Sequence, residues 1–198
     1  MIRRIAHTIF NIRDNFNSLI SRLQIRLQGG KIGQGVKIRG RIFVRNRGGN
    51  LIIGNNVTIN SSRRVNPAGL ADKFSLTVQK GAVFEIGEYS GASNCTIYCA
   101  TEIRIGSHVM IGVDCRIYDW DFHPISHLDR RNSSQPNIKS APVTIEDDVF
   151  IGAGSFVLKG VRISQGAIIG AGSVVVKNIP AFQLWGGNPA RFIRDLNN

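Results

Sequence analysis

Cysteine, acidic residues and long apolar runs are all scarce in this chain of 198 residues. It has three cysteines, an odd number with no CxxC pair, which argues against a disulfide framework and a zinc site and fits a reducing compartment. No run of about 18 apolar residues occurs, so no transmembrane helix is predicted. Arg13, Asp14 and Arg22 interrupt residues 1–27, so no secretory signal is predicted either. We therefore expect a cytoplasmic protein.

Acidic side chains are also outnumbered, with 13 Asp and Glu against 25 Lys and Arg, for a net charge of +12. Residues 1–47 hold eleven of these cations and one acid, a net charge of +10, and the remaining residues carry a net charge of only +2. An isoelectric point near 10.5 is typical of proteins that bind nucleic acid. However, the nearly balanced body shows no RNA- or DNA-binding motif, so we expect no nucleic-acid partner.

The basic N-terminal segment, residues 1–30, is predicted to be an amphipathic helix that ends at Gly29 and Gly30. Its apolar residues recur at spacings of three and four and fall in one arc of about 100° on a helical wheel. Two interpretations remain open: the arc packs on the rest of the protein or a neighbouring subunit, or residues 1–27 lie on an anionic membrane. The arc comprises Ile2, Ile5, Ile9, Ile12, Phe16, Leu19, Ile20, Leu23 and Leu27.

The rest of the chain is dominated by a six-residue repeat of aliphatic side chains. This period fits neither a helix nor a simple strand, but it suits short strands joined by tight turns. Three such strands make one 18-residue coil, and stacked coils form an all-β solenoid, the parallel β-helix. The longest uninterrupted series is Ile145, Ile151, Val157, Ile163, Ile169 and Val175.

Glycine follows many of these isoleucines, as in Ile111-Gly112, Ile151-Gly152 and Ile169-Gly170. Glycine allows either a positive φ angle or a close approach between backbones, and both are expected at the turns of such a coil. These glycines recur in step with the repeat, so we do not interpret them as a nucleotide-binding loop.

The repeat, together with the C-terminal stretch from Lys177 to Arg194, resembles the hexapeptide-repeat acyltransferases, and most of all the maltose/galactoside and polysaccharide O-acetyltransferases. The resemblance covers residues 31–195. It implies a left-handed β-helix, acetyl-CoA as acyl donor, and a homotrimer with sites between subunits.

Between Ile117 and Ile145 the repeat is broken by residues 118–142, and loops of this length are often functional. The stretch from Tyr118 to Ile125 resembles the family's catalytic loop, in which His123 matches the general base. A hydroxyl attacks a thioester poorly unless a base removes its proton, and histidine suits that task. His127 has no motif match.

The resemblance also suggests residues for the oxyanion and the acceptor. Family members often have an asparagine one coil before the base, but that position is Ala92 here, so neighbouring residues or backbone N–H groups are the alternatives. The candidates for the oxyanion are Ser93 and Asn94. From their types and places in the loop, Asp119 and Asp121 are candidates for orienting His123 or binding acceptor hydroxyls, and Arg130 for binding an anionic acceptor or facing solvent.

For acetyl-CoA, the resemblance implies small side chains beside the pantetheine arm and cations beside the phosphates. The matching positions are Ala153, Ala171, Lys177, Arg191 and Arg194. No metal site is predicted, because His108, His123 and His127 lack a recognisable ligand spacing.

We therefore predict an O-acetyltransferase that moves acetyl from acetyl-CoA to a hydroxyl of a sugar or glycan, in polysaccharide or glycolipid biosynthesis. It would act in the cytoplasm or at the inner face of the membrane. The alternatives are an N-acetyltransferase of an amino-sugar, a serine O-acetyltransferase, or a non-catalytic β-helix scaffold.

Overall fold

Short strands, nearly all of them parallel, build the body of the chain after the N-terminal helix. The computed structural model describes residues 2–70 and 73–196, and the side chains of residues 2–12 and 14 lie outside the described part. Two helices occur within it, α1 at Ile2–Leu27 and α2 at His127–Arg131. No helix in residues 2–70 or 73–196 is long and apolar enough to cross a bilayer.

The strands, numbered in chain order, form three sheets that we call A, B and C. Sheet A contains β1 Lys31–Ile32, β4 Asn50–Ile53, β7 Val83–Ile86, β10 Glu102–Ile105, β13 Val143–Ile145 and β16 Arg162–Ile163. Sheet B contains β2 Lys37–Gly40, β5 Thr58–Ser61, β8 Gly91–Ser93, β11 Met110–Ile111, β14 Phe150–Ile151, β17 Ile168–Ile169, β19 Gln183–Gly186 and β20 Arg191–Asp195. Sheet C contains β3 Phe43–Asn46, β6 Ser75–Val78, β9 Thr96–Cys99, β12 Arg116–Tyr118, β15 Phe156–Val157 and β18 Val174–Val175.

Successive strands pass from sheet A to B to C, and each pairs in parallel with the strand that occupies the same sheet on the next pass. Ile145 thus pairs with Ile163, and Ile151 pairs with Ile169. The exception is β20, which turns back antiparallel along β19. The predicted mostly-β, parallel architecture is confirmed, whereas the left-handed sense of the coil stays a prediction.

The inward side chains of the six-residue repeat form one continuous core. All six members of the series from Ile145 to Val175 are at most 1% exposed. Each buried aliphatic side chain stabilises the fold by roughly 1.5–3 kcal/mol. The repeat therefore sets both where the chain turns and which side chains face inward.

The glycines after isoleucine are required chiefly for close approach between coils. A Cβ on Gly112 would lie 2.6 Å from the backbone nitrogen of Ala153, and one on Gly152 would lie 2.5 Å from that of Ala171. No side chain fits at such distances, so these turns stack with their backbones almost in contact.

Helix α1 covers the open end of the first coil with its polar side. Ser18 Oγ accepts a hydrogen bond from the Ile38 N–H at 3.3 Å, and Gln28 Nε2 donates to the Val44 carbonyl at 3.1 Å. Gln28 Oε1 also accepts from the Asn46 N–H at 2.7 Å. Among the described side chains of α1, Ile25 is the one apolar residue that packs into the core, and it is 0% exposed. An uncovered sheet edge presents unpaired N–H and C=O groups, so polar side chains cap it best.

Of the interpretations left open for the apolar arc, packing on the rest of the same chain is therefore contradicted for the part that the structure describes. Phe16, Leu19, Ile20, Leu23 and Leu27 are all exposed, and the buried polar residues Asn17 and Ser21 take the inner side. The arc's other members, at positions 2, 5, 9 and 12, lie outside the described side chains.

The coil has three corners, of which two bear on function. The C–A corner, between sheets C and A, comprises residues 100–101, 119–142, 158–161 and 176–178. The B–C corner, between sheets B and C, comprises residues 94–95, 112–115, 152–155 and 170–173. The long predicted loop leaves the C–A corner, and its two arms are tied by a bridge between Trp120 and Ser140.

Candidate active site

His123 lies near the base of the long loop, shortly after β12 ends. The preceding Phe122 adopts a positive φ of 62° and packs its ring 4.8 Å from the Tyr98 ring and 5.2 Å from the Tyr118 ring. The His123 N–H also donates to the Asp121 carbonyl at 2.7 Å. This anchoring fixes the backbone of a histidine whose side chain is exposed.

The His123 ring is oriented by Gln135. Its Nδ1 lies 2.7 Å from Gln135 Oε1, an amide carbonyl that only accepts hydrogen bonds. In the neutral ring this contact favours the tautomer in which Nδ1 donates to Gln135 Oε1 and Nε2 keeps the lone pair. Sequence reasoning missed Gln135, since the only available signal was its place in the same loop.

Asp119 has a different role from the one predicted. Its side chain is 0% exposed, and its two oxygens accept from the N–H groups of Ala100, Thr101 and Glu102 at 2.6–2.8 Å and from the Thr101 hydroxyl at 3.0 Å. A carboxylate engaged in this way neither orients His123 nor meets an acceptor. It fixes the C–A corner at the point where the loop departs.

Asp121 is held by a lysine that the sequence did not single out. Lys159 Nζ lies 2.6 Å from Asp121 Oδ1, and both side chains are only about a quarter exposed, at 27% and 22%. Lys159 belongs to the next coil at the same corner, so stacking brings the pair together. Within the described residues, Asp121 Oδ2 has no hydrogen-bond partner.

Arg130 closes the loop on itself. Its Nη1 donates to the carbonyls of Pro124 at 2.9 Å and Ile125 at 2.5 Å, which joins α2 to the segment after His123. His127 is exposed at the start of α2, whose N-cap is Ser126. The structure thus separates His123, tied to Gln135, from His127 on the short helix.

The remaining candidates lie at the other corner. Ala153 and Ala171 are exposed and stacked on successive coils of the B–C corner, where the glycine turns bring the backbones close together. Ser93 lies next to this corner, lines a cavity of about 280 Å³ on sheet B and accepts a hydrogen bond from Asn60 Nδ2 at 3.1 Å. We call Ala153, Ala171 and Ser93 the ledge.

Asn94 lies next to the ledge but is covered. Its side chain is 0% exposed, and a Cβ at Gly69 would lie 3.1 Å from its Nδ2. In the described chain its amide atoms have no hydrogen-bond partner. Segment 62–74, between β5 and β6, thus lies over Asn94 through Gly69, and residues 71–72 of this segment are not described. Ser93 is therefore the accessible member of the predicted pair.

The three predicted phosphate-binding cations lie at the C-terminal end of the coil. Lys177 Nζ lies 4.9 Å from the centroid of the Trp185 ring, and Phe192 packs edge-on against the same ring at 6.2 Å. Arg191 and Arg194 are exposed on β20. The three cations thus lie around the last strands of the coil, and they are not grouped at one corner.

Within one chain, His123 and the ledge are not brought together. The loop that carries His123 leaves the C–A corner, whereas the ledge lies at the B–C corner, and the strands of sheet C connect the two corners. A ligand on the ledge therefore lies at a different corner from the one that the His123 loop leaves.

The cysteines take no part in either group. Cys95, Cys99 and Cys115 are all 0% exposed, as predicted for small core residues. Burial, and after it the Asp119 carboxylate, raise the pKa of the Cys99 thiol to about 12. Among residues 2–70 and 73–196, no three His, Cys, Asp or Glu side chains are grouped as a metal ion would require.

Comparison with known proteins finds relatives over much of the chain. Residues 142–177 match the family model described as the hexapeptide repeat of succinyl-transferase. A galactoside O-acetyltransferase of Lactococcus lactis is 40% identical over 119 residues, which cover 60% of this chain and 55% of that protein. The chain thus spans about half the length of the curated relatives it matches.

Solved structures show the same fold. A hexapeptide-repeat acetyltransferase of Vibrio cholerae, complexed with acetyl-CoA, is 26% identical with a TM-score of 0.54. The match covers 79% of this chain and 73% of the Vibrio cholerae chain. An N-acyltransferase variant of Bacillus cereus, complexed with dTDP-4-amino-4,6-dideoxyglucose and coenzyme A, is 23% identical with a TM-score of 0.68 over 90% of each chain. In its six-residue repeat the chain is thus similar to hexapeptide-repeat acyltransferases, and the solved structures share its fold.

Proposed function

We propose that the protein transfers an acetyl group from acetyl-CoA to a hydroxyl of a sugar or glycan, in the assembly of a cell-surface polysaccharide or glycolipid. The observation that carries the proposal is the His123 ring, whose Nδ1 is fixed 2.7 Å from Gln135 Oε1 and whose side chain is exposed. An oriented imidazole with a free Nε2 is the group that acyl transfer to a hydroxyl requires.

In this mechanism His123 Nε2 takes the proton of the acceptor hydroxyl as its oxygen attacks the thioester carbonyl. The resulting tetrahedral oxyanion collapses, the carbon–sulfur bond breaks, and the imidazolium returns the proton to the departing thiolate. Gln135 keeps the ring in the tautomer that starts the cycle. Ser93, the polar side chain of the ledge, is the candidate hydrogen-bond donor to the oxyanion.

The donor is proposed to lie along the ledge, with its phosphates near Lys177, Arg191 and Arg194. Because His123 and the ledge occupy different corners, a complete site would combine the loop of one chain with the ledge of another. We propose that the coil is left-handed and that the protein assembles as a homotrimer with sites between subunits, as the family resemblance implies. Acetyl-CoA is a cytoplasmic metabolite, which supports a cytoplasmic location.

The activity is tested by offering acetyl-CoA with a panel of hydroxyl and amino acceptors and measuring the release of free thiol. We expect release with a sugar hydroxyl acceptor. Transfer only to amino-sugars would instead assign N-acetylation, and transfer to serine would assign serine O-acetylation. Coenzyme binding with no transfer to any acceptor would favour a non-catalytic scaffold.

Gln135 is predicted to position His123 rather than to bind substrate. Gln135→Leu removes the carbonyl that holds the Nδ1 proton, so we expect kcat to fall about tenfold or more, as for loss of an orienting hydrogen bond. The KM for acetyl-CoA should change little. Gln135→Glu keeps an acceptor oxygen at that position and should recover most of kcat, whereas equal losses in both variants would mean that Gln135 only supports the loop.

The placement of the coenzyme phosphates predicts a specific binding defect. In Lys177→Gln/Arg191→Gln, the affinity for coenzyme A should fall more than the affinity for dephospho-coenzyme A, because the lost cations would face the extra phosphate. The difference should be larger at low salt than at high salt. Calorimetric titration of both ligands measures it, with Lys80→Gln/Lys139→Gln as the matched control. Equal losses for the two ligands would contradict the placement.

A further inference from the structure

The outer side of α1 is a continuous apolar strip. Phe16, Leu19, Ile20, Leu23 and Leu27, which we call the outer strip, are 59%, 64%, 40%, 54% and 78% exposed. They lie on the side of the helix away from Ile25, the residue that plugs the coil. Neighbouring large apolar side chains at this exposure are uncommon on a soluble monomer and mark an interaction surface.

Arginines border the strip on both sides. At about 100° per residue, Arg13 lies roughly 20° beyond Ile20, and Arg26 lies roughly 20° beyond Leu19. Arg13 and Arg26 are exposed, and Arg22 follows Arg26 on the same border. All ion pairs found in the described part of the chain lie beyond residue 84, so these arginines are not engaged in salt bridges there.

A cationic cavity of about 670 Å³ opens beside the strip, between α1 and segment 62–74. Arg13 and Phe16 line it, so the cavity and the strip share a border. No acidic side chain lines its described wall. Its cations come from three parts of the chain: Arg13, Arg41, Arg63, Arg64 and Lys73.

We propose that the outer strip docks on an anionic membrane and that the adjoining cavity receives the phosphate of a lipid headgroup. The apolar side chains enter the boundary between headgroups and acyl chains, and the bordering arginines meet lipid phosphates. This accounts for the direct contact between an apolar strip and a cavity whose described lining carries only positive charges, because an anionic lipid presents both chemistries together. A second copy of the same cationic surface would instead bring like charges together.

The test is flotation of the full chain with vesicles of phosphatidylglycerol and phosphatidylcholine, compared with phosphatidylcholine alone. We expect binding to the mixed vesicles that weakens with salt. Leu19→Gln/Leu23→Gln should lower the apparent vesicle affinity at least about tenfold, because two apolar side chains are lost from the interface. The matched control is Ile125→Gln/Leu128→Gln, which changes side chains that are 73% and 63% exposed elsewhere and should bind normally.

The cavity is tested separately by charge reversal. Arg63→Glu/Arg64→Glu should lower binding to the mixed vesicles by about tenfold or more, as expected for lost contacts to anionic lipid. The control is Lys80→Glu/Lys139→Glu, which reverses two exposed cations outside the cavity and should have a smaller effect. Unchanged circular dichroism and melting temperature in all variants establish that the fold is intact.

Three results would overturn the proposal. The intact protein could ignore mixed vesicles while inorganic pyrophosphate still binds the cavity, which would assign the cavity to a soluble phosphate compound. The strip variant and its control could bind vesicles equally well. The strip variant could also change the oligomeric mass in analytical ultracentrifugation without changing vesicle binding, which would mean that a second copy covers the strip. Thiol release in the acyltransfer assay without vesicles is independent of all three.

Discussion

His123→Ala is expected to lower the rate of acyl transfer by about 100-fold or more, because it removes the general base that takes the acceptor proton. Coenzyme A should still bind with near-normal affinity, since the proposed donor residues lie on the ledge and at the C-terminal end. The measurements are thiol release at saturating acetyl-CoA and calorimetric titration with coenzyme A. A loss of turnover without a loss of binding would separate chemistry from folding.

The matched control for this prediction is His127→Ala. Both histidines are exposed and lie on the same loop, but His127 starts α2, whereas His123 is held by Gln135 and anchored through Phe122. We expect His127→Ala to retain most of the activity. Full activity in His123→Ala, or an equal loss in both variants, would contradict the proposed base.

Two inactive variants are expected to restore activity when they are mixed. Ala171 is exposed on the ledge, so Ala171→Trp should fold and obstruct the donor. If each site combines the loop of one chain with the ledge of another, a mixed oligomer with His123→Ala contains sites with neither change. Random assembly of equal amounts would leave about a quarter of the sites intact. Activity is measured after the two variants are co-expressed or refolded together.

Two controls make this experiment decisive. Mixing His123→Ala with His123→Gln should restore nothing, because every site then lacks the base. The double variant His123→Ala/Ala171→Trp, refolded with an equal amount of wild type, should leave about the same quarter of the sites intact as the complementing mixture. If Ala171→Trp is inactive alone and its mixture with His123→Ala stays inactive while exchange of subunits is shown, the base and the ledge serve the same chain's site and the shared-site proposal is wrong.

The local periodicity of the sequence was sufficient to predict which residues form the core. The step from Ile145 to Val175 predicted which side chains face inward, and all six are buried. It was sufficient because each coil repeats the same short-range requirement, one aliphatic residue per strand and a tight turn after it. Handedness did not follow from this pattern, because the same inward residues suit a coil of either sense.

The contacts around His123 could be identified only from the tertiary structure. Lys159 reaches Asp121 only because the coils stack at the C–A corner, and Gln135 reaches the His123 ring only because the loop folds back on itself. The position of Asp119 in the motif predicted that it contacts the acceptor or orients His123. In the fold, three N–H groups of the preceding coil donate hydrogen bonds to its carboxylate oxygens instead. Such contacts join residues distant in the chain, so no local pattern records them.

The sequence by itself determined the repeat, the buried aliphatic series, the departure of a long loop from the coil and the histidine near its start. The loop was predicted at residues 118–142 and begins one residue later, because Tyr118 still pairs with Tyr98 in sheet C. These are local features, fixed by spacing and by the geometry of short strands and turns. Only the tertiary structure decided that His123 and the ledge lie at different corners and that α1 turns its polar side inward. The physical reason for the second is the end of the coil, where unpaired backbone groups require hydrogen-bond partners more than they require apolar cover.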